Sequence, residues 1–173
     1  MSALRRLLAL TLTAVALAAS AVAAPAAGAA TSPATDTTTS TTTSTASSVV
    51  AAGVPCSSVT ELGTKKVVSD LGMSAFTVRQ FKGWCTDSHG SAWMNFASVY
   101  VWEQYHARGF AYRAMVGVAV RGEPEARGFV TGGTRVRTTY STPVRTVALC
   151  TQGWGKLARS GGESAQGLSS LVC

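Results

Sequence analysis

The four cysteines constrain this chain more than any other feature of its sequence. Cys56, Cys85, Cys150 and Cys173 are separated by 29, 65 and 23 residues and contain no C-x-x-C pair of the kind that holds zinc. An even number of cysteines predicts two disulfide bonds. Three pairings are possible, and we favour the sequential one, Cys56–Cys85 with Cys150–Cys173. Disulfide bonds persist in oxidising compartments, so this pattern predicts an exported protein.

The first 29 residues have the three-part pattern of a signal peptide. Arg5 and Arg6 are followed by an apolar run over residues 7–17 and then by small residues. We expect cleavage after Ala23 or Ala29 and a secreted, extracellular product that keeps no transmembrane segment.

A threonine-rich segment follows the predicted signal peptide. Residues 31–50 contain nine Thr and five Ser, so there is little apolar surface to offset the entropy cost of ordering the chain. We predict a disordered linker over residues 30–50 and a single domain over residues 51–173. A domain of that size buries roughly two thirds of its surface on folding, which is enough for a core.

Alternating apolar and polar residues predict an all-β fold, an antiparallel sandwich or small barrel. The strongest pattern pairs Trp93–His106 with Phe110–Arg121 in a central hairpin, in which Gly109 takes the left-handed turn position. The register of that hairpin places Phe96, Tyr100 and Trp102 together in the core and pairs Glu103 with Arg113. Shorter strands are predicted over Ser58–Leu62, Lys66–Asp70, Ala75–Phe81, Gly128–Thr131, Thr134–Tyr140 and Val144–Cys150, and single helical turns over Gly155–Ser160 or Ser164–Leu171.

No catalytic motif of known spacing occurs in the chain. Glu103 and His106 are the residue types with which small secreted ribonucleases perform general acid–base catalysis. On one strand, however, residues three apart point to opposite faces, so we predict no catalytic site there. The adjacent Asp87, Ser88 and His89 are interpreted as a polar turn. We expect no cofactor and no metal.

The chain is basic, with 15 Lys and Arg against eight Asp and Glu and a net charge of +7. Arg135 and Arg137 lie two apart on a predicted strand and Arg145 on the next one. Their side chains would form a positive stripe that attracts a polyanion such as teichoic acid, nucleic acid or an acidic protein. The alternative is a solvated face that keeps the protein soluble.

The function predicted from these observations is that of a secreted, non-catalytic binding or interaction domain. Its expected partner is an anionic cell-wall polymer or another secreted protein. The candidate binding residues are Arg135, Arg137, Arg145, Trp84 and Trp154, the two tryptophans as stacking surfaces.

Two alternatives to this function stay open, a small nuclease-like hydrolase and an enzyme inhibitor. An inhibitor needs a rigid loop beside a disulfide, and residues 85–93 are the best candidate. A two-disulfide β domain is similar to the small secreted amylase and subtilisin inhibitors in architecture. The Trp-Arg-Tyr motif of the amylase inhibitors is absent, so the similarity stops there.

Overall fold

The computed structural model describes residues 47–162 and 164–173. The predicted signal peptide (1–29) and the predicted linker up to residue 46 lie outside the described residues. Within them the chain forms nine β-strands and one helical turn. In chain order these are β1 (Val49–Ala51), β2 (Val54–Asp70), β3 (Met73–Asp87), β4 (Gly90–Val101), α1 (Glu103–His106), β5 (Tyr112–Val120), β6 (Arg127–Thr131), β7 (Thr138–Tyr140), β8 (Thr151–Arg159) and β9 (Ala165–Leu168).

The strands form two antiparallel sheets, as the all-β prediction requires. The five-stranded sheet has the order β1-β2-β3-β4-β7, and the four-stranded sheet has the order β6-β5-β8-β9. Their inner faces pack together, and the main core between them includes Phe76, Val78, Val99, Val116 and Leu157. The first strand begins at Val49, two residues before the predicted start of the domain.

Glycines in β8 allow the two sheets to approach closely. A Cβ at Gly155 would lie 2.6 Å from a methyl group of Val99 and 2.7 Å from one of Val78. A Cβ at Gly153 would lie 2.9 Å from the backbone oxygen of Arg79. Any larger residue at either position would therefore push the sheets apart.

Both disulfides have the predicted pairing. Cys56 lies directly opposite Cys85 in the β2–β3 ladder, and the bond joins them across it. Cys150 bonds Cys173 and so ties the residue before β8 to the end of the sequence. A smaller apolar cluster, which includes Met94 and Phe96, surrounds the first disulfide.

The predicted central hairpin is wrong. β4 pairs with β3 and β7, whereas β5 belongs to the other sheet and pairs with β6 and β8. Residues Glu103–His106 leave the strand as a helical turn that carries the chain from one sheet to the other. Gly109 does take the left-handed conformation, with φ +80°, but it follows the end of this turn instead of closing a hairpin.

The register derived from that hairpin fails with it. Phe96 is buried, but Tyr100 is on the outer face and 37% exposed, and Trp102 is only half-buried. Glu103 forms an ion pair with Arg137 instead of Arg113.

Most of the shorter predicted strands fall on strands of the structure, but of Thr134–Tyr140 only Thr138–Tyr140 is a strand, and one further strand and both helical turns are wrong. Val144–Cys150 is a connection whose ladder contact is a single bridge between Val144 and Asn95. Gly155–Ser160 and Ser164–Leu171 contain strand rather than helix, because they fall on β8 and β9. Glycines that sequence patterns associate with turns are used in β8 for close sheet packing.

Replacement of Gly155 by alanine tests this packing. We expect Gly155→Ala to lower the free energy of unfolding by about 1–3 kcal/mol, because overpacking forces the neighbouring valines or the backbone to move. Gly133→Ala is the matched control, since Gly133 is exposed and its nearest contact is one methyl group of Val136. Urea unfolding of both variants measures the difference. Equal stability of the two would contradict the packing argument.

Candidate binding surfaces

The outer face of the five-stranded sheet carries a shallow groove that combines arginine and tyrosine. One row across β3, β4 and β7 contains Arg79, Ser98 and Tyr140, and the next contains Thr77, Tyr100 and Thr138. The groove has a volume of about 280 Å³. We call it the outer groove, and its lining residues are Arg79, Phe81, Ser98, Tyr100, Thr138 and Tyr140.

Arg137 lies beside the outer groove and is held by two contacts. Its guanidinium donates a hydrogen bond of 2.6 Å to the hydroxyl of Tyr100 and lies 5.3 Å from the centre of that ring. It also forms an ion pair with Glu103. Arg79 has a longer ion pair, 3.6 Å, with Glu61. Within the described residues the buried Nε atoms of Arg79 and Arg137 have no hydrogen-bond partner, so both arginines keep an unused donor.

The helical turn α1 carries Glu103 and His106, and Arg137 connects Glu103 to Tyr100 of the groove. The prediction that Glu103 and His106 point to opposite faces assumed a strand and is wrong, because residues i and i+3 of a helix share one face. Tyr105 anchors the turn from below. Its buried hydroxyl donates a hydrogen bond of 2.5 Å to Asp70, which also accepts one of 3.2 Å from Arg159. Burial and the Asp70 hydrogen bond raise the pKa of Tyr105 to about 12, so it stays a neutral donor.

His106 is held on its other side by the start of β5. Its Nδ1 shares a hydrogen bond of 2.7 Å with the hydroxyl of Tyr112, which is buried. Burial raises the pKa of Tyr112, which keeps the phenol neutral. The backbone oxygen of His106 accepts a hydrogen bond of 3.2 Å from the guanidinium of Arg135. The Nε2 atom of His106 is the ring nitrogen that this bond to Tyr112 leaves free.

The predicted arginine stripe does not form on one sheet face. Arg135 lies in the connection before β7, with a left-handed φ of +60°, and Arg137 is the residue before that strand begins. Arg145 lies in a different connection and binds Asp87 and the backbone oxygen of Gly90. Arg135 and Arg137 therefore meet at α1, and Arg145 lies at the β3–β4 turn. A binding role for the three stays a prediction.

Trp84 belongs to a second exposed feature, the β3–β4 hairpin. It lies directly opposite Trp93, and the two rings meet edge to face with centroids 5.7 Å apart. Their exposures are 42% and 43%, high for tryptophan. The ammonium of Lys82 lies 5.2 Å from the centre of the Trp93 ring. The hairpin closes at Ser88 and His89, a polar turn as expected, and the Cys56–Cys85 bond lies beside it.

Trp154 is on the outer face of the four-stranded sheet, away from both features. Its ring centroid lies 5.9 Å from that of Phe129, which is 52% exposed, and Leu168 is its neighbour across the β8–β9 ladder. These residues line an open groove of about 530 Å³ with Glu123 and Glu125 at its rim. Trp84 and Trp154 therefore do not form one surface.

The sequence prediction missed Arg79, Tyr100, Tyr140 and Trp93. The sequence did contain a pattern that could have identified this face, because Arg79 and Phe81 alternate with buried residues in β3. Tyr100 was assigned to the core only because β4 was given the wrong partner.

Comparison of the chain with protein-family models, with curated proteins and with solved structures finds no match. In the part of the chain that the structure describes, no helix is long and apolar enough to cross a membrane. The same residues contain no group of three His, Cys, Asp or Glu side chains placed to hold a metal ion.

The hydrogen bonds that Asp87 accepts from Arg145 and from the His89 N–H form a brace at the β3–β4 turn, and its contribution to stability depends on pH. Partial burial tends to raise the pKa of Asp87, but hydrogen bonds from the His89 N–H (2.8 Å) and from Arg145 (2.9 Å) outweigh it and lower the pKa. A lowered pKa gives stability that is complete above the ordinary value of about 4 and is lost as the pH falls through the folded-state value. We expect Asp87→Asn to be less stable than the parent protein at pH 7 and equally stable well below pH 4.

Urea unfolding at the two pH values measures this effect. Arg145→Gln provides the control, because in its absence the Asp87→Asn change at pH 7 should cost less. An equal cost with and without Arg145 would contradict the proposed brace.

Proposed function

We propose that this protein is a binding domain for an anionic polymer that carries flat rings, of which single-stranded nucleic acid is the best fit. The observation that carries the proposal is the outer groove, which Arg79, Tyr100 and Tyr140 line and beside which Arg137 contacts Tyr100. Proteins that bind single strands combine positive charge along the backbone with aromatic rings on which bases stack. A wall polymer such as teichoic acid offers the phosphates but no rings for the tyrosines.

The arginines of the groove can accept a phosphate at low cost. Both are in ion pairs, but the pair of Arg79 with Glu61 joins side chains that are about two-fifths exposed. Exposed ion pairs contribute only about 0.2–1 kcal/mol, so a phosphate can displace the carboxylate or bind the arginine beside it. The side chains of Arg79 and Arg137 are 40% and 36% exposed, so their terminal N–H groups can donate to a phosphate.

The remaining charge favours the approach of a polyanion. The whole chain carries +7, and in the described residues Lys65, Lys66, Arg108 and Arg121 form no ion pair. Such charges increase association rates even where they make no contact. The two disulfides are typical of proteins outside the cell, and we propose that binding takes place there.

The Trp84–Trp93 hairpin favours a second candidate function, the docking and inhibition of a secreted enzyme. Two exposed indoles lie on a hairpin that a disulfide and Arg145 hold rigid, and rigid aromatic anchors are the usual centres of protein interfaces.

Binding of a fluorescein-labelled oligothymidylate, followed by anisotropy over a KCl series, tests the main proposal. We expect Tyr100→Ala to raise Kd by about 5- to 150-fold, the equivalent of one lost stacking contact. Arg79→Gln should reduce the slope of log K against log salt by about 0.7, the value for one phosphate contact on a single strand.

Two matched variants serve as controls for the binding experiment. Trp154→Ala removes an aromatic ring from the other sheet, and Arg145→Gln removes an ion-paired arginine from the other end of the molecule. Neither should change Kd. Equal losses from Tyr100→Ala and Trp154→Ala, or binding of teichoic acid in preference to the oligonucleotide, would overturn the assignment.

Inhibition assays against a panel of extracellular proteases and amylases test the second candidate. If the hairpin docks an enzyme, Trp84→Ala should weaken inhibition by about 30-fold, the effect of losing an interface hot spot. Phe129→Ala, which truncates another exposed aromatic ring on the other sheet, should leave inhibition unchanged. The absence of inhibition across the panel would exclude this function for those enzymes.

A further inference from the structure

We infer that α1, which Arg137 connects to the outer groove, cleaves the backbone of single-stranded RNA, with Glu103 as general base and His106 as general acid. The inference rests on the proposed function, because the groove must first hold the strand. It goes beyond binding, because it assigns a reaction to residues that binding alone does not need.

The arrangement of α1 supplies the first requirement, two proton-transfer groups on one side of a short rigid element. Glu103 and His106 are i and i+3 on the turn. The side chain of Glu103 is mostly exposed and is held by Arg137, which also contacts Tyr100 of the groove. A strand that stacks on Tyr100 would therefore place a phosphate next to Arg137 and Glu103.

His106 meets the second requirement, a defined ring orientation. The hydrogen bond between Nδ1 and Tyr112 fixes the imidazole, and Tyr112 is itself immobile because it is buried. Arg135 holds the backbone of the same residue through the His106 carbonyl oxygen. Nε2 is then the atom that can transfer a proton to a bound substrate. Tyr112 and Arg135 act as positioning residues in this site.

The reaction is an intramolecular transphosphorylation. Glu103 takes the proton from a ribose 2′-hydroxyl, and the 2′-oxygen forms a bond to the adjacent phosphorus. The bond from phosphorus to the 5′-oxygen of the next nucleotide breaks, and His106 Nε2–H gives its proton to that oxygen. The products are a 2′,3′-cyclic phosphate and a free 5′-hydroxyl. Exchange with solvent returns both residues to their starting protonation states, and no co-reactant is consumed.

Arg137 has the third role, to stabilise the negative charge that grows on the phosphate oxygens as the bonds change. Its guanidinium contacts both Glu103 and Tyr100, and its side chain is 36% exposed, so its terminal N–H groups can reach a bound phosphate. Trp102 meets the ring of Tyr100 edge to face at 6.2 Å and so adds a second aromatic ring beside Tyr100. Preorganised charge of this kind is commonly the largest contribution to such catalysis.

The test uses the full chain with its disulfides formed and two labelled oligonucleotides. One is entirely deoxy, and the other has a single ribonucleotide. We expect cleavage of the second strand only, 3′ to the ribose, with a cyclic phosphate end identified by mass spectrometry. Glu103→Gln and His106→Asn should each reduce the rate by about 100-fold or more, the usual contribution of a general base or acid.

Matched variants separate this activity from contamination by another nuclease and from misfolding. His89→Asn changes the other histidine, on the exposed β3–β4 turn, and Glu125→Gln changes a glutamate near the four-stranded sheet. Both should cleave at the parental rate after the same purification. Tyr112→Phe should lower kcat about tenfold while Kd for the deoxy strand stays the same, which a merely destabilised protein would not show.

The two oligonucleotides make the possible failures distinguishable. Binding of the deoxy strand without cleavage of the ribose strand, or cleavage that Glu103→Gln and His106→Asn do not reduce, overturns the catalytic inference and leaves the binding proposal standing. Loss of deoxy-strand binding overturns the proposed function. Cleavage that depends on both residues, together with binding of the deoxy strand, supports both proposals.

Discussion

The contact between β8 and the inner face of the five-stranded sheet is the interaction on which the rest of the structure depends. Gly155 lies against Val78 and Val99, and Gly153 lies against the backbone of Arg79. With no side chain at these two positions, the apolar residues of both inner faces can bury one another. The side chains of the inner faces are therefore buried in the core. Side chains that can bind a partner or take part in a reaction lie on the outer faces and on the connections between the sheets.

The same two-sheet arrangement explains why Glu103 and His106 lie together on α1. The chain must leave β4 in one sheet and enter β5 in the other, and a single helical turn makes that crossing. Its underside is fixed by the buried Tyr105, which bonds Asp70 from β2, while Arg159 from β8 bonds the same carboxylate. Because both sheets hold this turn, Glu103 and His106 lie on a rigid element, and Arg137 connects it to the outer groove.

Features encoded locally could be predicted from the sequence, and features that depend on strand partners could not. The disulfide pairing, most strand positions and the left-handed Gly109 follow from spacing and turn chemistry. The alternation in β4 was recognised, but alternation does not indicate which strand lies beside it. In the structure β4 pairs with β3, to which the Ser88–His89 turn connects it. That one error moved Tyr100 into the core, hid its relation to Arg137 and kept Glu103 and His106 on opposite faces.

The positions of charged residues in the sequence likewise do not show which of them form ion pairs. Five arginines, Arg79, Arg127, Arg137, Arg145 and Arg159, each have a carboxylate partner, so a count of positive residues does not locate a binding site. The pairing nevertheless favours the outer groove. Arg137 is already ordered by Glu103 and Tyr100, so it loses less side-chain entropy on binding a phosphate than a free surface cation would. In the proposed function, the cations that form no ion pair within the described residues direct the approach of a polyanion, and the ordered arginines of the groove determine where it binds.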